Sequence, residues 1–319
     1  MRYLISLLLV FHFFSATAQL TYQTLTVNYD SALTYKNLKI IPVRQKTGLG
    51  LPPGQAPGDL ANIVTLNQAI RQGLVSITER GTASIDNVHW LRINNNSEKS
   101  IYVSSGEIIA GGRQDRMITR DTILFPTHKD QYVPTMCIEE GRWSDKEKKF
   151  AYGNFANEHL RKVLDSTRNQ VSIWQEVDRQ LEKGNFRNKG NTLSYLSRNE
   201  DKKYVQSNDE YFNFFRDKFR NTDSSIVGFV CVSGDKVIGS DIFANPQLFY
   251  SQLEPLLRGF IDEAIIFGAP VNLPDPPVKK YMDKLLKDEA SQEDFARKNG
   301  KIFRQNGRVI HVNTFLKDQ

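Results

Sequence analysis

The chain has 319 residues, 39% of them hydrophobic and 11% aromatic, with a formal net charge of +6. That is enough apolar material for a sizeable core and excludes wholesale disorder. Residues 142–220 carry most of the cationic excess, 17 Lys/Arg against 12 Asp/Glu. The signs are interspersed there, as on a solvated helical face, so no nucleic-acid partner is expected.

The N-terminus reads as an export signal. Arg2 is followed by the apolar run Tyr3 to Phe14, then Ala16-Thr17-Ala18 before Gln19, which fits cleavage before Gln19. The run is shorter than the ~20 residues of a spanning helix; a retained anchor is the alternative. The expected location is periplasmic or secreted, with no transmembrane segment after cleavage.

Short β-favouring runs follow at Leu25–Tyr29 and Leu38–Val43, then a Gly/Pro-rich loop from Lys46 to Asp59. Thr65 caps a short helix carrying Leu66, Ala69 and Ile70, closed by Gly73. Strands are expected at Leu74–Thr78, Val88–Ile93, Ile101–Ser104, Ile118–Leu124 and Tyr132–Ile138. Next come helices: Val171, Trp174, Val177 and Leu181 form one apolar stripe, and Phe212, Phe215 and Phe219 another. Gly184 is expected to close the first of these, leaving Asn185–Asp201 as a basic, polar connector.

Ile226–Ser233 and Val237–Ile242 read as a hairpin about Gly234-Asp235. Asn245-Pro246 starts a helix that Pro255 should kink or divide. After the Pro270–Pro277 break, a charged helix over Val278–Lys287 and a hairpin about Asn306-Gly307 end the chain. The expected fold class is α+β, a mostly antiparallel sheet assembly in one domain over 19–319, with helices inserted from about 145 to 220 and added after 245.

Cys137 and Cys231 lie in apolar runs and are expected to pack as unpaired small hydrophobes; a disulfide is the alternative if the compartment is oxidising. Single histidines at 89, 128, 159 and 311 give no metal spacing. Gly48-Leu49-Gly50 runs into Pro52, which opposes a dinucleotide-binding helix. Neither metal nor cofactor is expected.

Polar chemistry concentrates between Gly106 and Trp143. Gly111-Gly112 permits a turn, after which strand alternation would place Arg113 and Asp115 on one face and Gln114 and Arg116 on the other. Cys137 and Glu139 would share a face, as would Ile138 and Glu140. Arginines beside carboxylates can pair with them and lock neighbouring strands. Alternatively, Gln114, Arg116, Glu139, Arg142 and Trp143 line a groove whose arginine forks hold an anionic ligand, nucleotide-like or a sugar phosphate, beside a Trp143 wall. In a catalytic version Glu139 or Glu140 is a general base. The function expected is an exported ligand-binding domain; the alternatives are a hydrolase of a phosphate or ADP-ribose type substrate and a structural or adhesive envelope protein.

Gly106-Glu107, the Gly-Gly-Arg-Gln-Asp-Arg run at 111–116 and Cys-Ile-Glu-Glu-Gly-Arg-Trp at 137–143 together resemble the ARG-and-rhodanese-phosphatase-superfamily-associated protein domain. Thr65-Leu66-x-x-Ala69-Ile70, Glu79, Trp174-x-x-Val177 and Asp241-Ile242-Phe243 continue the resemblance, over roughly residues 30–268. It implies proximity to ADP-ribose, nucleotide or phosphate metabolism. The residues from 270 to 319 read as this chain's own extension.

Overall fold

A computed structural model describes residues 20–46, 63–79, 89–142, 148–186, 192–220 and 225–315. The signal-like residues 1–18, most of the Gly/Pro-rich loop and Trp143 lie outside the described residues. Strands β1 (Leu25–Val27), β2 (Leu33–Tyr35) and β3 (Leu38–Gln45) come first, then β4 (Ile63–Thr65), helix α1 (Leu66–Arg71), β5 (Val75–Glu79), β6 (Trp90–Asn95) and β7 (Ser100–Val103). β8 (Glu107–Gly112), β9 (Arg116–Ile118), β10 (Thr122–Leu124), β11 (Gln131–Cys137), β12 (Glu139–Glu140) and β13 (Lys148–Phe155) complete the β-rich half. Next are α2 (Glu158–Thr167), α3 (Gln170–Gly184), β14 (Leu193–Ser194), a 3-10 segment Tyr195–Glu200 and α4 (Lys202–Arg220). The chain ends through β15 (Ile226–Ser233), β16 (Lys236–Phe243), α5 (Pro246–Ile266), α6 (Asp275–Leu286), α7 (Glu289–Asn299), β17 (Gly300–Gln305) and β18 (Arg308–Phe315).

Two sheets dominate, and the fold class is α+β. The larger runs β1-β3-β15-β16-β18-β17, with β2 also on β3; the second runs β13-β8-β9-β11-β6-β5. All their pairings are antiparallel. A three-stranded sheet, β10-β7-β4, contains a parallel pair, β4 with β7.

Alternation along the strands builds the core on both faces of each large sheet. Ile40, Phe229 and Cys231 pack with Phe215 and Phe219 of α4 and Leu257 and Phe260 of α5. Ile41, Val230 and Val232 face the other way, onto Val278, Met282 and Leu285 of α6. In the second sheet Ile109 and Ile118 face α1, while Ile108 and Met117 face α2 and α3. The three-stranded sheet joins the halves: Tyr102 packs in the first core, its neighbours Ile101 and Val103 in the third.

Local signals explain many boundaries. Thr65 and Gln68 form a reciprocal capping box at α1, which satisfies two donors that the first turn leaves orphaned. Asn245 accepts the Leu248 N–H, with Pro246 at the first helical position of α5. Asn306 and Gly307, with φ of 50° and 76°, turn the last hairpin.

Other expectations are corrected. Pro255 does not divide α5, which runs as one helix through it. α3 ends at Gly184, but Asn185, at φ 52°, is the left-handed residue. Val171 is 55% exposed, and the buried stripe of α3 is Ile173, Val177 and Leu181. The 185–201 segment is no plain solvated connector: it contains Tyr195 and Arg198, both fully buried. α7, unforeseen, buries only Gln292 and Ala296. Both cysteines are buried and free.

Candidate functional site

The glycine pair does turn the chain, with φ of 120° at Gly111 and 55° at Gly112. A Cβ on Gly112 would sit 2.3 Å from the Phe150 ring, so backbone conformation and space both require glycine. Residues 113–115 therefore leave the strand and the expected alternation fails. Arg113 and Arg116 converge on one carboxylate, Glu79 of β5: Arg113 Nη1 donates to Oε2 at 3.1 Å and Arg116 Nη2 to Oε1 at 3.1 Å.

Beyond Cys137 the chain continues through buried Ile138 to Glu139, which pairs with Ser194 of β14. Glu139 is buried and Glu140 exposed. Arg142 Nε donates to Glu139 Oε1 at 2.8 Å and Oε2 at 2.7 Å, and its Nη2 to Asp115 Oδ1 at 3.1 Å. Its remaining donors reach the carbonyls of Gly112 and Gly111, at 3.1 and 3.3 Å. Gln114 Nε2 donates to the Glu139 carbonyl at 2.9 Å, and the Asp115 N–H to Glu139 Oε2 at 3.2 Å. Burial, reinforced by Glu139, raises the Asp115 carboxyl above its ordinary range against the Gly111 N–H and Arg142.

The block thus brings together Gln114, Arg116, Glu139 and Arg142, as the sequence implied, but turned on one another. Arg113, Arg116 and Arg142 face Glu79, Asp115 and Glu139, equal numbers of opposite charges. Both Glu139 oxygens accept from Arg142. Chemically this is a latch that joins β5, the β8–β9 turn, β12 and β14.

A cleft of about 360 Å³ lies elsewhere, walled by α1, β13, the 3-10 segment, α4 and α5. α1 supplies Asn67 and Arg71, β13 Tyr152 and Asn154, the 3-10 segment Asn199, α4 Asn208, and α5 Arg258. Asn67 is only 6% exposed, and its Oδ1 has no hydrogen-bond partner; nor has the buried Tyr152 hydroxyl. Such groups are uncommon, because desolvating them without a partner costs about 1–3 kcal/mol. Asn208 Oδ1 accepts from Arg258 Nη1 at 2.7 Å, and Arg258 also reaches Asp209 at 3.1 Å and Glu254 at 3.6 Å. Arg71 is exposed at the helix end, with no ion-pair partner among the described residues.

The cleft wall is held from behind. Tyr204 and Tyr195 donate to Asp262 Oδ1 and Oδ2, each at 2.7 Å, and the buried Arg198 pairs with the same carboxylate. Asn199 and Tyr204 of the lining are thereby tied to α5. Sequence reading missed this cleft because its asparagines come from four separate elements with no shared local pattern. Among the described residues no group of His, Cys, Asp and Glu is arranged to hold a metal ion, and no helix is long and apolar enough to cross a membrane.

The family model of the ARG and Rhodanese-Phosphatase-superfamily-associated Protein domain (ARPP-1) matches residues 26–315. The match runs past residue 268 and takes in α6, α7 and the β17–β18 hairpin, so these belong to the family domain and are no private extension. No curated protein and no solved structure gives a match.

Proposed function

The chain belongs to the ARPP-1 domain family, and since that description names no reaction, we propose from the site geometry that it is an exported domain that binds a small anionic ligand in the cleft between α1, β13, α4 and α5. The observation that carries this reading is the pair of buried, partnerless polar groups, Asn67 Oδ1 and the Tyr152 hydroxyl, at a cleft that also holds Arg71. A guanidinium without a carboxylate is free to take a phosphate or carboxylate group. The cleft falls at the lower end of the ~300–1,000 Å³ range of small-molecule sites. Binding is favoured over hydrolysis because Glu139 is held by Arg142 and its neighbour Glu140 is exposed. Export rests on the signal-like run from Arg2 to Ala18 ahead of Gln19.

The test is a thermal-shift and calorimetric screen of the chain from Gln19 onward against sugar phosphates and nucleoside monophosphates. A ligand at 100 times its Kd stabilises by about 2.7 kcal/mol. Val205 lines the cleft, so Val205→Trp should abolish the shift and Arg71→Gln should reduce it. Binding that survives Val205→Trp would move the site out of the cleft, and conversion of the ligand to product would restore the hydrolase reading.

A further inference from the structure

We propose that the ligand of this cleft is a polyol, a monosaccharide-sized molecule with adjacent hydroxyls and a single anionic group. The inference rests on the cleft being the binding site and adds the chemistry of what enters it.

The lining is unusually rich in one functional group. Asn67, Asn154, Asn199 and Asn208 all face the same space, with Tyr152 and Tyr204 beside them. A carboxamide carries an acceptor and two donors on one rigid plane. A sugar hydroxyl also both donates and accepts, so an amide can meet two neighbouring hydroxyls at once without a net charge on either side. A ligand recognised mainly by charge would call for uncompensated charges. Here Arg258 is already matched by Asp209 and Glu254, which leaves Arg71 for one anionic substituent. Val205 and Pro255 add small apolar surfaces of the kind that the C–H face of a sugar ring covers.

Two of the polar groups are held in the fold at a cost. Asn67 Oδ1 and the Tyr152 hydroxyl are buried with nothing to bond. Replacing a partnerless polar group by an apolar one of similar shape is neutral or stabilising. Fold and ligand therefore make opposite demands on these two positions, and that opposition can be measured.

The experiment uses calorimetry on the chain from Gln19 onward with three probe classes: hexose 6-phosphates of gluco, manno and galacto configuration, the corresponding free hexoses, and cyclohexyl phosphate, which keeps ring and charge but lacks hydroxyls. At least one hexose 6-phosphate should bind tenfold or more tightly than cyclohexyl phosphate. Tyr152→Phe and Asn67→Leu should each weaken that sugar phosphate by about tenfold while the urea midpoint of the variant stays level or rises. If cyclohexyl phosphate binds as well as every sugar phosphate and Val205→Trp blocks it, the cleft stands as an anion site and the polyol inference falls. Should no probe bind, both fall. If the variants lose stability and keep affinity, the two side chains are scaffold and the inference is overturned.

Discussion

Arg116 is 1% exposed, with Nη2 on Glu79 and Nη1 on the Gln114 carbonyl. Truncating one partner of such a buried pair leaves an uncompensated charge, at about 3–5 kcal/mol. Arg116→Ala should therefore show a large drop in urea midpoint. Arg142→Ala should follow with a smaller drop, since its side chain is 19% exposed and water can reach the carboxylates it leaves. Glu140→Ala, an exposed change, should move the midpoint by less than about 0.5 kcal/mol. If Arg116→Ala and Arg142→Ala leave the midpoint untouched and abolish binding of whatever ligand the screen finds, the block is a ligand site after all. The thiols give an independent check on the cores. Cys137 and Cys231 are buried in separate strands and burial raises both above the ordinary thiol range, so alkylation should be slow in the native protein and reach two thiols per chain once it is unfolded. Failure to label under denaturing, non-reducing conditions would reveal a bond between them.

The β8–β9 connection rests on glycine for two separable reasons, and a comparison with α1 divides them. Gly73, closing α1 at φ 68°, has nothing within 4 Å of where a Cβ would lie. Gly73→Ala should lose only the backbone term, about 1–2 kcal/mol. Gly112 has a similar φ of 55°, but there the Cβ would meet Phe150 at 2.3 Å and Glu79 at 2.9 Å. Gly112→Ala should add overpacking of about 1–3 kcal/mol, so its loss must exceed that of Gly73→Ala in paired denaturation curves. Equal losses would mean that the turn yields freely. Elements like these were legible in the sequence because their signals are local: Thr65 before α1, Asn245-Pro246 before α5 and Asn306-Gly307 between the last strands. What could not be read depends on residues distant in sequence. Arg198 looks solvated in its polar run until Asp262 of α5 meets it; α7 lacks an apolar stripe and is held by Phe295 against Tyr281 and by Gln292 on the Leu20 and Leu285 carbonyls. The faces of the arginine block could not be read, since the Gly111-Gly112 turn breaks the alternation from which they were assigned. The cleft left no local trace at all.

A buried chain of ionisable groups ties the sheets together and gives the molecule its response to pH. His311 of β18 lies between Asp121, at 2.6 Å from Nδ1, and Asp241 of β16, at 2.9 Å from Nε2; Arg161 of α2 forks onto Asp241 at 2.8 and 3.0 Å and also pairs with Glu158. Tyr102 of β7 donates to Asp121 at 2.9 Å. Burial opposes charge on His311, but Asp121 and Asp241 overcome it and push its pKa up to about 9. Burial raises Glu158, despite Arg161, and Glu107 to about 8 each. Asp121 and Asp241 are held below the ordinary range, burial being outweighed by His311 at the first and by Arg161 and His311 at the second. The signs follow from which state holds more protons. His311 contributes stability that is whole below its unfolded value of about 6.5 and is lost as pH rises through 9. Glu158 and Glu107 stay protonated in the fold while the unfolded chain releases those protons above about 4.3, so they too destabilise progressively with rising pH. The two aspartates act oppositely: their contribution is present above about 3.9 and is lost as pH falls through their depressed folded values. Stability should therefore be greatest in mildly acidic solution and decline from pH 5 to pH 9, by about 1.4 kcal/mol per pH unit for each proton that the folded state alone retains. Lys301, lowered by burial, works against this only where lysine itself titrates. Urea midpoints at pH 5, 7 and 9 measure the decline, and Glu158→Gln, which removes one titration without adding a charge, should flatten it. A midpoint that climbs between pH 5 and 9, or a slope indifferent to Glu158→Gln, would mean that these buried groups do not hold their protons through the neutral range.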